Sequence, residues 1–323
     1  MIAIGFCLAK FKIVNVDIFK KINTFLFKGC FVCLVANNLV TRDISSFSFV
    51  PFVIGALSLV TTILTFTLIF AFKFDDRFEV FLSTALPAVY VNYVIIGLPI
   101  FNSIWSEAES SIVFIITLSN DLVTVPLYLA LTAFYHVYRN NRDHREKGEP
   151  EEKFSLRTCG GILMSLATNP IFIGYIIGFG WSGLKLPMFT FLDTILKYLS
   201  DTVLAGSCMC VGSFLAEHSL ISCHWLQFVV CLVGRHILMP SFSLLYCKLL
   251  KIDGRTARQC VIMTALPSAV ASYLLSTNGG VGAGVASTMI FWTSILFLPA
   301  VIGWLELIEK LNIFPENTDA PAV

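Results

Sequence analysis

Apolar residues in this chain fall into long runs separated by short charged turns. Runs cover roughly 22–40, 47–72, 78–105, 111–138, 159–180, 190–216, 224–247, 257–277 and 285–308. Most approach or exceed the roughly 20 residues a helix needs to cross a bilayer. Met1 to Ala9 is apolar but too short to span, and it lacks the basic start and small-residue cleavage site of a signal peptide. It reads as the second half of a first helix, so either coding sequence upstream of Met1 is missing or the first helix supplies only that half. The only long polar segment, 139–157, divides the chain. The expected organisation is a first repeat at 1–138, a linker at 139–157, a second repeat at 158–309 and a short tail at 310–323.

The division into halves is supported by an internal match. Thr84-Ala85-Leu86-Pro87 returns as Thr264-Ala265-Leu266-Pro267, and Lys73-Phe74-Asp75-Asp76-Arg77 is echoed by Lys251-Ile252-Asp253-Gly254-Arg255. At the same displacement Asn92 corresponds to Ser272, and Tyr93 to Tyr273. In each copy an apolar run carries proline and small or polar residues near its middle: Pro87, Asn92, Gly97 and Pro99 in one, Pro267 and Ser272 in the other. Proline removes a backbone donor and clashes with the preceding turn. In hydrocarbon the freed groups are costly unless protein or a watery cavity satisfies them. The expected fold is therefore an all-α polytopic membrane protein. It has about ten spans, the first truncated, in two five-helix repeats whose fourth and ninth helices are broken and crossed. Five spans per half place the copies in opposite orientation, and matched breaks of this kind point to a secondary transporter with its site at the midplane.

Composition agrees. Hydrophobic residues make up 56% and charged residues 13%, with a mean hydropathy of +0.81, against about 25% charged in an average soluble domain. A net charge of +1 implies no nucleic-acid partner. The ten cysteines lie almost entirely in apolar runs, and the five histidines lack the spacing of a helical metal site, so neither metal nor cofactor is expected. Twelve basic residues flank the runs on the side of the 139–157 linker and seven on the other, which favours a cytoplasmic linker.

Several polar residues inside apolar runs are candidates for chemistry. Asn92 can donate to a carboxylate at a half-helix N-terminus, or can only satisfy backbone freed by the kink. Asp121, next to Asn120 and near mid-bilayer, is expected either to couple a proton or ion or to pair structurally, Arg235 being one partner. Arg235 could neutralise an anionic substrate or snorkel to an interface. Pro87, Pro99 and Pro267 read as architectural helix breaks.

The chain resembles the auxin efflux carrier, or PIN-like, family of membrane transporters. The likeness is carried by Asn92-Tyr93 through Gly97-Leu98-Pro99, by Asn169-Pro170, and by Ser200-Asp201 through Gly212-Ser213-Phe214-Leu215. Arg235 to Pro240 and Ala265-Leu266-Pro267-Ser268-Ala269-Val270 through Leu298-Pro299 continue it, so that it runs along nearly the whole chain. The departures are the truncated first helix, Lys28-Gly29-Cys30 in place of a Leu-Pro, Ala205 in place of a proline, Tyr93 for a common Thr, and Ala271 for Asn. The resemblance implies inverted five-helix repeats, a transport domain moving against a scaffold, often a homodimer, and small organic anions, auxins or dicarboxylates, as substrates. On that reading Asn92, Tyr93, Ser272, Asn120 and Arg235 surround the substrate, in a plasma membrane or endomembrane. A receptor or sensor on a transporter-like fold is the alternative. A membrane enzyme is not expected, because no His and acid cluster at one membrane face.

Overall fold

The computed structural model describes residues 1–40, 48–72, 74, 76–147, 160–161, 164, 167–217 and 221–315. Most of the 139–157 linker, two residues of the first charged turn (Lys73 and Asp75) and the end of the tail lie outside them. Among the described residues all regular structure is helical apart from one isolated antiparallel bridge, Val91 with Ser268. In chain order the helices are α1 (Ile2–Lys10), α2 (Val16–Phe25), α3 (Phe31–Val40), α4 (Val50–Phe66), α5 (Arg77–Val89) and α6 (Leu98–Ile104). They continue as α7 (Ser111–Ser119), α8 (Val125–Lys147), α9 (Pro170–Gly183), α10 (Thr190–Glu217), α11 (Trp225–Val233) and α12 (Met239–Leu249). The last three are α13 (Gly254–Thr264), α14 (Val270–Gly279) and α15 (Ala283–Lys310). Among the described residues, four helical stretches, Val50–Ile69, Glu107–Arg142, Trp225–Leu249 and Ala283–Lys310, are long and apolar enough to cross a membrane.

Two boundaries differ from the sequence expectation, each for a local reason. The second helical stretch starts at Val16 rather than near 22, because the Asn15 side chain accepts the Asp17 N–H at 3.0 Å and caps it early. The fifth runs past Tyr138 to Lys147. Nothing in Arg139 to Lys147 is a helix breaker, so the first part of the expected linker is helix.

Among the described residues, four π-helical turns interrupt the helices, at Leu26–Cys30, Tyr93–Gly97, Asn120–Thr124 and Gly234–Leu238. Three of them stand two residues before a proline: Pro99, Pro126 and Pro240. A proline ring inside an α-helix collides with the carbonyl four residues earlier, and widening the turn relieves the collision. Proline thus sets the place of the wide turn, and the wide turn changes which side chains face inward. The polar residues Asn92, Asn120, Asp121, Arg235 and His236 all lie in or directly beside these turns.

Two compact units are built from both halves of the chain. One comprises Met1–Phe47, Asp121–Ser219 and Leu275–Gly282; the other comprises Ser48–Asn120, Leu220–Leu274 and Ala283–Val323. In the first, α9 lies directly on α3, where a Cβ at Gly174 would meet Val35 at 2.8 Å and one at Gly178 would meet Leu39 at 2.7 Å. Small residues let helix backbones approach where lipid offers no hydrophobic drive for association. Also in this unit, the α8 residue His136 contacts the carbonyl of Gly279 at 2.7 Å, at the end of α14.

The second unit holds both breaks. Its charged turns are helix N-caps: Asp76 accepts the Glu79 N–H at 3.0 Å and Asp253 the Thr256 N–H at 2.9 Å. Val91 stands 15 residues after Asp76, and Ser268 stands 15 after Asp253. The local structures therefore align three residues away from the Thr-Ala-Leu-Pro match. Pro87 lies inside α5, whereas Pro267 lies beyond the end of α13. At the far end of the first broken segment, Arg255 of α13 makes a bidentate pair with Glu109 (2.9 and 2.8 Å), and Gln259 donates to the same carboxylate at 2.6 Å.

Gly234 opens the wide turn that bears Arg235, and a Cβ there would sit 2.3 Å from the Phe66 ring. Gly303, inside α15, has nothing within 4 Å of that position. Gly234→Ala should lose about 1–3 kcal/mol through overpacking, whereas Gly303→Ala should be neutral or gain about 0.5–1 kcal/mol from better helix propensity. Unfolding midpoints of the two variants in detergent measure the contrast.

Candidate functional site

The site is a break in two helices, and its construction follows from asking where each released backbone group goes. Once the chain leaves α5, the carbonyls of Pro87 and Ala88 lose the N–H groups of Val91 and Asn92. Once it leaves α13, the carbonyls of Thr264 and Ala265 lose those of Ser268 and Ala269. All eight groups are buried deep in the protein, so each needs a new partner.

Part of the answer is mutual. Asn92 N–H donates to the Pro267 carbonyl and Ala269 N–H to the Tyr90 carbonyl, both at 2.9 Å, forming a short antiparallel pairing centred on Val91 and Ser268. The sequence repeat opposes Asn92 with Ser272, but the pairing lies one helical turn earlier in the second copy. Ser272 is fully buried in the first turn of α14, and its hydroxyl donates to its own helix at Ala269 O, 2.7 Å.

Side chains supply the remainder. Asn120 takes Val91 as a neighbouring strand would, donating from Nδ2 to its carbonyl at 2.8 Å and accepting its N–H at 3.4 Å. The Ser268 hydroxyl donates to the Pro87 carbonyl at 2.5 Å, while Ser268 N–H donates to Thr293 Oγ1 at 3.0 Å. Arg235 donates from Nη1 to Ala88 O at 3.0 Å and from Nη2 to Thr264 O, so that one guanidinium caps both broken helices. Next to it, His236 Nδ1 contacts Ala265 O at 3.1 Å, which assigns it the protonated Nδ1 tautomer. Adjacent residues of an α-helix diverge, and the wide turn at Gly234–Leu238 allows both to reach the breaks. Pro240 frees the His236 carbonyl, and that group is taken by the Trp304 indole N–H at 2.8 Å.

Arg235 is fully buried, so it does not snorkel to an interface. Among the described residues its partners are carbonyls and the Met239 sulfur, at 3.3 Å, and none is a carboxylate. Asp121 is 4% exposed and occupies the second position of the wide turn that Asn120 begins.

With the backbone satisfied, two buried side-chain N–H donors at the break have no hydrogen-bond partner among the described residues, Arg235 Nε and Asn92 Nδ2, and only the second is neutral. Asn92 is 4% exposed and precedes the helical stretch Tyr93–Ile104; its own amide N–H and C=O are engaged, by Pro267 O and by Gly97 N–H. Its side-chain Nδ2 has no hydrogen-bond partner among the described residues. A buried amide without a partner costs about 1–3 kcal/mol, which makes it a natural position for a ligand oxygen. Tyr93, buried at 1% exposure, begins the same stretch. Pro99 stands in the same stretch, two residues after its wide turn.

The sequence pointed to Asn92, Asn120 and Arg235 but not to Ser268, His236 or Thr293. Ser268 and His236 had available signals, since each directly follows a residue already singled out, Pro267 and Arg235. Thr293 had none, because a hydroxyl facing inward on an apolar helix looks like any other packing threonine.

Replacing Asn120 by Asp keeps an acceptor but loses the donor to Val91 O and sets a carboxylate against a carbonyl. Asn120→Asp should destabilise the protein by about 1–3 kcal/mol, and Asn120→Ala, which strands both Val91 groups, by at least as much. Thermal unfolding in nanodiscs reads both.

Residues 1–305 match the model of the family described as membrane transport protein. Among curated proteins, the chain is similar to auxin efflux carrier component 5 of Arabidopsis thaliana, 22% identical over 242 residues covering 68% of each chain. It is also similar to auxin efflux carrier component 8 of the same plant, 20% identical over 256 residues covering 69% of each.

Proposed function

Because the chain belongs to the membrane transport protein family, a family of transporters that includes auxin efflux carriers and not of enzymes, we propose that it is a secondary-active carrier of small organic anions. The substrates are weak acids, auxin-like or dicarboxylate, and the carrier works by alternating access around the paired breaks. The observation that carries this reading is Asn92: a buried, unengaged amide donor at the junction of two broken helices whose other freed backbone groups have partners. A carboxylate oxygen is a ligand atom that accepts from such a donor.

The architecture proposed with it is ten spans in two inverted repeats with the fourth and ninth crossing. Contacts at the ends of the broken segments support the inversion. Arg255, at the start of α13, holds Glu109, just beyond the end of the stretch that begins at Tyr93, so those two ends share one face. His136, late in α8, meets Gly279 at the end of α14. In this reading the 139–157 linker is cytoplasmic, the unit containing both breaks is the moving one, and the other unit is the scaffold of a homodimer. Asp121, buried at a wide turn, is the proposed proton-coupling group.

Uptake of a labelled organic-anion panel into proteoliposomes, with and without a pH gradient, tests the carrier. Wild type should move at least one weak acid, and Asn92→Ala should lose most of that flux while folding normally. Saturable binding without flux would identify a sensor instead, and full flux in Asn92→Ala would remove Asn92 from the site. Asp121→Asn should abolish the response to the pH gradient. A mutant whose gradient response matches wild type would exclude Asp121 as the coupling group.

A further inference from the structure

The guanidinium of Arg235 is buried without a carboxylate, and its hydrogen bonds alone do not explain its charge. The carbonyls it caps would accept equally well from a neutral amide or hydroxyl, as the Pro87 carbonyl does from Ser268. A neutral donor would avoid the desolvation penalty of a buried cation. The charge is therefore the feature that needs a use.

Helix ends provide one. The end of a helix carries about half an elementary charge, positive at the N-terminus and negative at the C-terminus. The paired breaks bring together the C-terminal ends of α5 and α13, of 13 and 11 residues, and the N-terminal ends of the stretches Tyr93–Ile104 and Val270–Gly279. By themselves the two negative and two positive ends cancel. Arg235 bonds to the penultimate carbonyl of α5 and the last carbonyl of α13, so its charge falls on the two negative ends. The two positive ends are left unopposed, and Asn92, whose Nδ2 has no partner among the described residues, immediately precedes one of them.

We propose that Arg235 is the residue that sets the sign of the crossing. It acts as a positioning residue, by cancelling the C-terminal ends of both broken helices, and the site selects an anion without the guanidinium touching it. This deepens the carrier reading above and rests on it.

The experiment compares a carboxylate with its neutral isostere. Binding of phenylacetate and of phenylacetamide to purified protein in nanodiscs is measured for wild type, Arg235→Lys and Arg235→Gln, together with unfolding midpoints. Wild type should prefer the carboxylate. Arg235→Lys, which keeps the charge with fewer hydrogen bonds, should unfold earlier yet keep the preference within about threefold. Arg235→Gln, which removes the charge, should reduce the preference at least tenfold. A purely structural arginine would lower the folded fraction and leave the ratio unchanged, and an unchanged ratio in Arg235→Gln overturns the proposal. If Arg235→Gln does not fold, Arg235→Lys decides the matter: a retained ratio supports the role of charge, and a collapsed one overturns it. A wild type that binds and transports no organic anion removes the carrier reading itself, a result distinct from a carrier whose charge preference ignores Arg235.

Discussion

A broken helix in hydrocarbon must find a partner for every backbone group it releases, since water is not there to take them. The two breaks of this protein release four carbonyls and four N–H groups. The solution is partly reciprocal, each break bonding to the other, and partly borrowed from Asn120, Ser268, Thr293, Arg235 and His236. Remove one of these donors and a buried carbonyl is stranded, which costs more than the net value of the bond itself. The polar residues of the core are thus committed before any ligand is considered, and the identity of the site follows from what is left over.

Proline decides where those polar residues point. Pro99, Pro126 and Pro240 each lie two positions after a π-helical turn, and each wide turn brings one or two polar side chains to bear on the breaks or beside them. The turn at Leu26–Cys30 has no such proline and contains Lys28-Gly29-Cys30. Local backbone chemistry, packing and the placement of charge are thereby one problem. A substitution at Pro240 would act on Arg235 through the register of the helix, not through any contact.

In the proposed carrier, the breaks bring a buried cation to bear on a site it does not touch. A fully buried guanidinium caps two carbonyls through Nη1 and Nη2 and keeps its charge, with Nε left without a partner among the described residues. Helix ends then carry that charge to the point of use. The unit that contains both breaks draws on both halves of the chain, so sequence halves and compact units are different divisions of the same molecule.

Hydropathy and composition alone determined the all-helical membrane class, because burying apolar surface in lipid depends on run length and little else. Paired prolines in corresponding runs were enough to locate the breaks, since a missing backbone donor acts locally whatever surrounds it. Tertiary structure decided the rest. The Thr-Ala-Leu-Pro repeat suggested that Asn92 opposes Ser272, but the capping aspartates Asp76 and Asp253 set each helix start, and the pairing fell on Val91 and Ser268. Asn120, on the sequence a neighbour of Asp121 in a shared cavity, is spent on the Val91 backbone, and Arg235 is spent on two carbonyls rather than on an acid. Which polar groups are consumed and which remain free depends on contacts between residues from 25 to 181 positions apart. A one-dimensional pattern shows that a buried polar residue needs a partner, and only the folded chain shows which one it has.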